Sequence, residues 1–184
     1  MITKWSDKLK NKLSKNKLNK DISQIKIQRK FISFNDAHRV GILFDATNEQ
    51  FHGTIHHYIQ KLQALHKQVN VLAFFNLNKK EQQSNVIVDA GYQYFTRKDL
   101  SWMMIPEHNS VKHFANEDFD ILININPNKI LPLNYISGIS KAKCRVGMYD
   151  DGSHLFYDLM VNNTHHDIKK YFEQVDHFLN QIKK

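Results

Sequence analysis

The spacing of hydrophobic positions changes several times along the chain, and each change marks an element. "RVGILFD" (39–45) is a continuous apolar run closed by an acid, as suits a parallel strand covered on both faces. After "ATN", the residues Phe51, Ile55, Tyr58, Ile59, Leu62 and Leu65 recur at helical period, with Thr47 or Asn48 as the expected N-cap. "VNVLAFF" (69–75) is a second strand, the Asn- and Gln-rich residues 76–85 a polar loop, and "YQYF" (92–95) a short edge strand. Residues 110–116 predict a brief helix leading into "FDILININ" (119–126), the most strand-like segment of all. A helix starts near Pro132, since proline is tolerated in a first turn, and runs to about Ser140. "CRVGMYD" (144–150) and "YDLMVN" (157–162) are two more strands. The last helix places Ile168, Tyr171, Phe172, Val175, Phe178, Leu179 and Ile182 on one face.

Strands alternating with helices predict right-handed crossovers and a mainly parallel sheet with helices on both sides. The expected fold class is α/β: a three-layer Rossmann-like sandwich with strand order 3-2-1-4-5-6, in one domain over residues 31–184.

The first thirty residues follow another pattern. "WSDKLKNKLSKNKLNK" (5–20) places six lysines among sixteen residues. Ile2, Trp5, Leu9 and Leu13 share one helical face; the register breaks around residues 14–17, and Leu18, Ile22 and Ile25 form a second stripe. This predicts a basic, amphipathic, helical arm over residues 1–30 that contributes little to the core.

Charge sharpens the division. Residues 1–30 hold nine lysines and Arg29 against Asp7 and Asp21, a net of +8, which is the whole chain's net charge. Residues 31–184 carry equal numbers of basic and acidic groups. A neutral domain with a basic arm points to an anionic polymer or surface as partner. Lysine, a hydrated point charge, suits diffuse phosphate contact better than base reading. Lys4, Lys8, Lys10, Lys12, Lys15, Lys17 and Lys20 are therefore the expected contacts to RNA phosphates, on the ribosome or another structured RNA. The alternative partner is an anionic membrane surface, with Trp5, Leu9 and Leu13 buried among the lipids.

Composition adds limits. At 184 residues and 41% hydrophobic, the chain can bury one substantial core. No apolar run reaches the ~20 residues of a membrane helix, and lysines interrupt any secretory h-region. Cys144 stands alone, so no internal disulfide forms and a reducing cytoplasm is the expected compartment, with the inner membrane surface as the alternative.

In a doubly wound sheet, ligands sit at the carboxyl ends of the strands near the switch point. Asp45, Thr47 and Asn48 follow the first strand, and Asn126 and Asn128 the fourth. Tyr149, Asp150 and Asp151 follow the fifth, while Asn163, His165 and His166 follow the sixth. That rim supports a third reading, a small enzyme or ligand sensor, with Asp45, Thr47, Asn48, Asn126, Asn128, Asp150 and Asp151 forming the ligand crevice. The turn "FDATNEQ" lacks the G-x-G-x-x-G fingerprint, and no phosphate loop is present, so no nucleotide cofactor is expected. The adjacent pairs His56-His57 and His165-His166 cannot converge on one ion if helical, and His52 and His56 have no acid between them, so no metal is expected. Ser153-His154 lacks the strand–elbow–helix setting of a nucleophile. No catalytic set emerges. "LSWMMIP" (100–106) is an apolar connection whose expected role is to fold over the open edge of the sheet.

"VGILFDAT", "YFTRKDLSW", "FDILININ", "LPLNYISGISKAKCRVGMYD", "FYDLMV" and "YFEQVDHFL", in this order over residues 25–184, resemble a family of short, uncharacterised Bacteroidota proteins that open on a lysine-rich leader. That resemblance implies a unit but no chemistry. "FDILININ…ISKAKCRVGMYD" is also similar to the acceptor half of heptosyltransferase-like glycosyltransferases. The chain lacks the second Rossmann half that binds the sugar nucleotide, which argues against transferase activity on its own.

Overall fold

The computed structural model describes residues 13–14, 16–47, 49–77, 91–163 and 167–182. Six parallel strands form one sheet: β1 (Arg39–Asp45), β2 (Gln68–Phe75), β3 (Gln93–Thr96), β4 (Ile121–Ile125), β5 (Cys144–Met148) and β6 (Leu159–Val161). Their order is β3-β2-β1-β4-β5-β6, as the alternation of patterns predicts. The register sets Ile42 of β1 between Val71 of β2 and Ile123 of β4. Helices α2 (His52–Ala64), α3 (Asn109–Asn116), α4 (Leu131–Ile139) and α5 (Ile168–Gln181) connect or follow the strands, and residues 16–23 form a further helix, α1.

The period-2 alternation of β1 separates two cores. Val40, Ile42 and Phe44 face α2 and α5, meeting Ile55, Tyr58, Ile59 and Leu62 on the first and Tyr171, Phe172, Val175 and Leu179 on the second. Leu43 points the other way, into a cluster with Phe114 of α3 and Leu133 and Ile136 of α4. The rings of Tyr58 and Phe172 stack 3.9 Å apart between α2 and α5, and the Tyr58 hydroxyl donates to Asp176 at 2.7 Å. Phe178, expected on the buried face of α5, is exposed.

A third core sits outside α4 and involves the arm. Leu18 of α1 is 4% exposed and packs with Ile105, Tyr135, Phe156 and Tyr157, with Ile22 and Met103 against them. A Cβ on Gly138 of α4 would lie 2.5 Å from the Ile22 side chain, so glycine is what lets α1 rest on α4. Polar contacts fix the angle: the Tyr135 hydroxyl donates to Asp21 at 2.7 Å, and Ser14 Oγ to the Met103 carbonyl at 3.0 Å. The second half of the arm is thus part of the fold, where the sequence suggested little core contribution. Its docking partner lies more than a hundred residues away, so the stripe Leu18/Ile22 reads locally as a generic amphipathic helix. The 100–106 connection is shared between two cores: Leu100 packs against the cluster that holds Phe95 of edge strand β3, Ile105 and Met103 serve this third core, and Trp102 is exposed.

A second local expectation fails at α2. A short 3₁₀ turn, Glu49–Phe51, precedes it, and its N-cap Phe51 makes no side-chain cap bond. Thr47 Oγ instead accepts from the Asn76 N–H at 2.7 Å, tying the ends of β1 and β2 together. Asn48 lies outside the described residues.

Candidate ligand crevice and basic face

β4 is buried at every position, yet its sequence "ILINI" includes Asn124, fully buried, and continues into Asn126, 5% exposed. A buried amide costs several kcal/mol if it stays unpaired, so these side chains need partners, and α4 together with Tyr157 supplies most of them. Asn126 Oδ1 accepts the Ile130 N–H at 2.8 Å, while its Nδ2 donates to the Ile130 carbonyl at 3.1 Å and to Asn134 Oδ1 at 2.8 Å. Asn134 Oδ1 also accepts the Tyr157 hydroxyl at 2.7 Å. The Tyr157 oxygen in turn accepts from Asn124 Nδ2 at 2.9 Å, which faces Ser137 Oγ and the Leu133 carbonyl as well. Asn124 Oδ1 has no hydrogen-bond partner among the described residues. Burial pushes the Tyr157 phenol well above its ordinary pKa, so the hydroxyl stays a neutral donor.

This network floors a crevice of about 210 Å³ at the carboxyl ends of β4, β5 and β6. Asn126, Asn134 and Tyr157 form the floor, Met148, Tyr149, Asp150 and Ser153 one wall, and Pro127, Lys129, Asn162 and Asn163 the rim. Lys129 is ion-paired with Asp150, and Ser153 Oγ donates to the same carboxylate at 3.0 Å. The Lys129 hydrogen bond, with Ser153 and the Lys129 charge adding to it, holds the Asp150 carboxyl below its usual range. A carboxylate so stabilised is a weak base, so Ser153 gains no activation from it. The arrangement presents fixed hydrogen-bond donors and acceptors; among the described residues it holds no nucleophile–base pair.

The sequence placed the crevice around seven residues, and the structure divides them. Asn126 and Asp150 line it. Asp45 and Thr47 do not: Asp45 Oδ1 accepts the Thr47 N–H at 2.9 Å at the end of β1. Asn128 and Asp151 are exposed, and Asp151 accepts the Tyr149 hydroxyl at 2.7 Å. Asn48, His165 and His166 lie outside the described residues. Asn134, Tyr157, Lys129 and Ser153 were missed. Asn134 is an apolar-face position of a nine-residue helix, and its polarity there was the available signal. Among the described residues no group of three or more His, Cys, Asp or Glu is placed to hold a metal.

A separate feature lies at the opposite, amino ends of the strands. Residues 25–30 lead from α1 to the start of β5, where the Lys30 N–H donates to the Lys143 carbonyl at 3.0 Å. Arg29, Lys30, Lys141 and Lys143 line an open groove of about 870 Å³ there, with Asp118 as its one acid. Lys143 is paired with Asp120 at 2.8 Å. Arg29 donates to the Ala142 carbonyl; burial, and then the neighbouring Arg145 charge, lower its pKa to about 10. Arg145 itself grips Asp158 with Nε at 3.0 Å and Nη2 at 2.8 Å. Of the expected RNA-contacting lysines, Lys17 and Lys20 are exposed on α1, Lys17 pairing with Asp21. Lys4, Lys8, Lys10, Lys12 and Lys15 lie outside the described residues.

A family model matches residues 10–182 of the chain. The chain belongs to DUF6913, a family of unknown function. Its unit starts well before residue 31, so the DUF6913 match takes in α1, in keeping with the burial of Leu18 and the contact of Ile22 with α4. No curated protein matches, and no solved structure matches. Among the described residues no helix is long and apolar enough to cross a membrane.

Proposed function

We propose that this DUF6913 protein is a non-catalytic binding module whose basic arm contacts RNA phosphates, on the ribosome or another structured RNA. The observation that carries the reading is the charge distribution: all eight net positive charges belong to residues 1–30, and the remainder sums to zero. Two structural features support it. Anchoring of α1 through Leu18 and Asp21 gives the lysines before it a fixed point of departure, so part of the ordering cost of binding is already met. The residues after α1 lead into the groove lined by Arg29, Lys30, Lys141 and Lys143. There Arg29 carries a charge disfavoured by burial and by Arg145, which a phosphate would relieve.

The test is binding of a single-stranded RNA oligonucleotide, followed by fluorescence anisotropy across a salt series. Each phosphate neutralised releases counterion, so four to six contacts predict a slope of log affinity against log salt of roughly −3 to −4. Replacing Lys4, Lys8, Lys10 and Lys12 by Ala leaves Leu18 and Asp21 untouched and should flatten the slope. Salt-insensitive affinity, or full binding by that variant, would refute the reading. Loss of vesicle binding on changing Trp5, Leu9 and Leu13 to Ser, with no RNA binding by either form, would favour the membrane instead.

A further inference from the structure

The geometry points to a second binding site: we infer that the crevice at the ends of β4, β5 and β6 takes a small, uncharged, polyhydroxylated molecule of single-sugar size. This goes beyond the RNA reading and lies at the other end of the strands.

The floor is built and oriented. Asn126, Asn134 and Tyr157 are 5%, 7% and 6% exposed, so each is more than nine-tenths buried. The backbone of Ile130 offers both a donor and an acceptor to Asn126, which settles the orientation of that amide. Asn126 Nδ2 and the Tyr157 hydroxyl then both require Oδ1 of Asn134 as acceptor. Asn134 is left with its Nδ2 hydrogens, which make no hydrogen bond to a described residue, yet Nδ2 is not among the fully buried unpaired atoms, which are Asn124 Oδ1 and the Tyr171 hydroxyl. The donor therefore opens onto the crevice that Asn134 lines, where a ligand or water oxygen can accept from it.

The walls set the charge. Lys129 and Asp150 neutralise one another, so the crevice offers a donor and an acceptor but no net field. A phosphate would find little here. α4 begins at this end of the sheet, but of its first-turn residues Pro132 has no N–H, and the N–H groups of Leu133 and Asn134 bond back to the Ile130 carbonyl, which leaves only that of Leu131. The Ile130 N–H is taken by Asn126. Hydroxyl groups both donate and accept, so a polyol satisfies Asn134, Lys129 and Asp150 together without bringing charge. Tyr149, 55% exposed, adds a ring at the mouth against which C–H groups can lie. The crevice, of about 210 Å³, has room for one sugar ring.

The experiment is saturation-transfer NMR on the full chain with glucose, galactose, mannose, N-acetylglucosamine and mannitol, each at millimolar concentration, beside glucose 6-phosphate, with inorganic phosphate followed by the melting temperature alone because it has no C–H protons to observe. At least one uncharged probe should receive transfer and raise the melting temperature by mass action. Lys129→Ala, a rim change with no core role, should weaken that probe about tenfold, the loss of one charge-assisted hydrogen bond. Asn134→Leu should abolish the transfer, and Asn128→Ala, exposed and outside the crevice, should leave it unchanged. Three results would each overturn the inference: no transfer to any uncharged probe, binding of only the phosphorylated ones, or transfer that persists undiminished in Lys129→Ala.

Discussion

Gly147 of β5 lies directly under the ring of Tyr157. A Cβ added there would stand 2.3 Å from Cε1, 2.4 Å from Cζ and 2.5 Å from Cδ1. Ordinary contact begins near 3.4 Å, so Gly147→Ala must drive the ring away by about 1 Å. The ring is not free to move, because its oxygen bonds Asn134 at 2.7 Å and Asn124 at 2.9 Å; a shift of that size stretches at least one bond past hydrogen-bond range. Overpacking in a full core costs about 1–3 kcal/mol, and a buried polar group left unpaired costs about 1–3 kcal/mol more. A net loss of about 2–6 kcal/mol is expected, lowering the melting temperature by about 4–24 °C. Urea denaturation of Gly147→Ala, Tyr157→Val and the double variant completes a cycle. Valine lacks all three ring atoms that the new methyl would meet, so the alanine should cost far less in the Tyr157→Val background. An equal cost in both backgrounds, or a loss under about 0.5 kcal/mol in the single variant, would refute the packing argument.

Leu18→Ala should destabilise the protein by about 2–3 kcal/mol, measured by urea denaturation, and deletion of residues 1–20 should do at least as much; a loss near zero would mean that α1 is not docked. Desolvation raises the Asp120 pKa, but hydrogen bonds from Lys143 and from the Arg39 and His38 N–H groups outweigh it and leave the carboxyl below its usual value. The unfolded chain then binds the proton more readily, so the stability this group contributes is present above about pH 4 and is lost as pH falls through the folded pKa; Asp120→Asn should flatten that acid limb of the stability profile, and an unchanged profile would refute the assignment. Burial, with the charge of Asp158, pushes the Cys144 thiol up to about 12, so iodoacetamide at mildly alkaline pH should label it only at the rate of unfolding, and rapid labelling of the native protein would contradict its burial.

The strands, their order and the two cores on either side of the sheet were legible in the sequence. Each depends on periodicity within about ten residues, and the run "RVGILFD" can be stable only where helices cover both of its faces. The same local logic gave the edge strand, read at 92–95 and found at 93–96, and the first-turn proline of α4. It failed where a residue's meaning rests on a distant partner. Leu18 and Ile22 form a plain amphipathic stripe until Gly138 opens a seat for them. Thr47 reads as a helix cap until β2 brings the Asn76 N–H within reach. The candidate site divides in the same way. Asn126 and Asp150 each stand just past a strand end, and that chain position is enough to put them on the rim. Asn134, Tyr157 and Lys129 come from a helix, a loop and a turn, and only the closing of α4 over β4 and β5 makes their amide, phenol and ammonium groups converge. Sequence determines which faces must be buried, because burial is a property of each residue and its near neighbours. Tertiary structure alone decides which buried polar groups find partners, because a hydrogen bond needs two groups within about 3 Å and the chain's order says nothing about which pairs will meet.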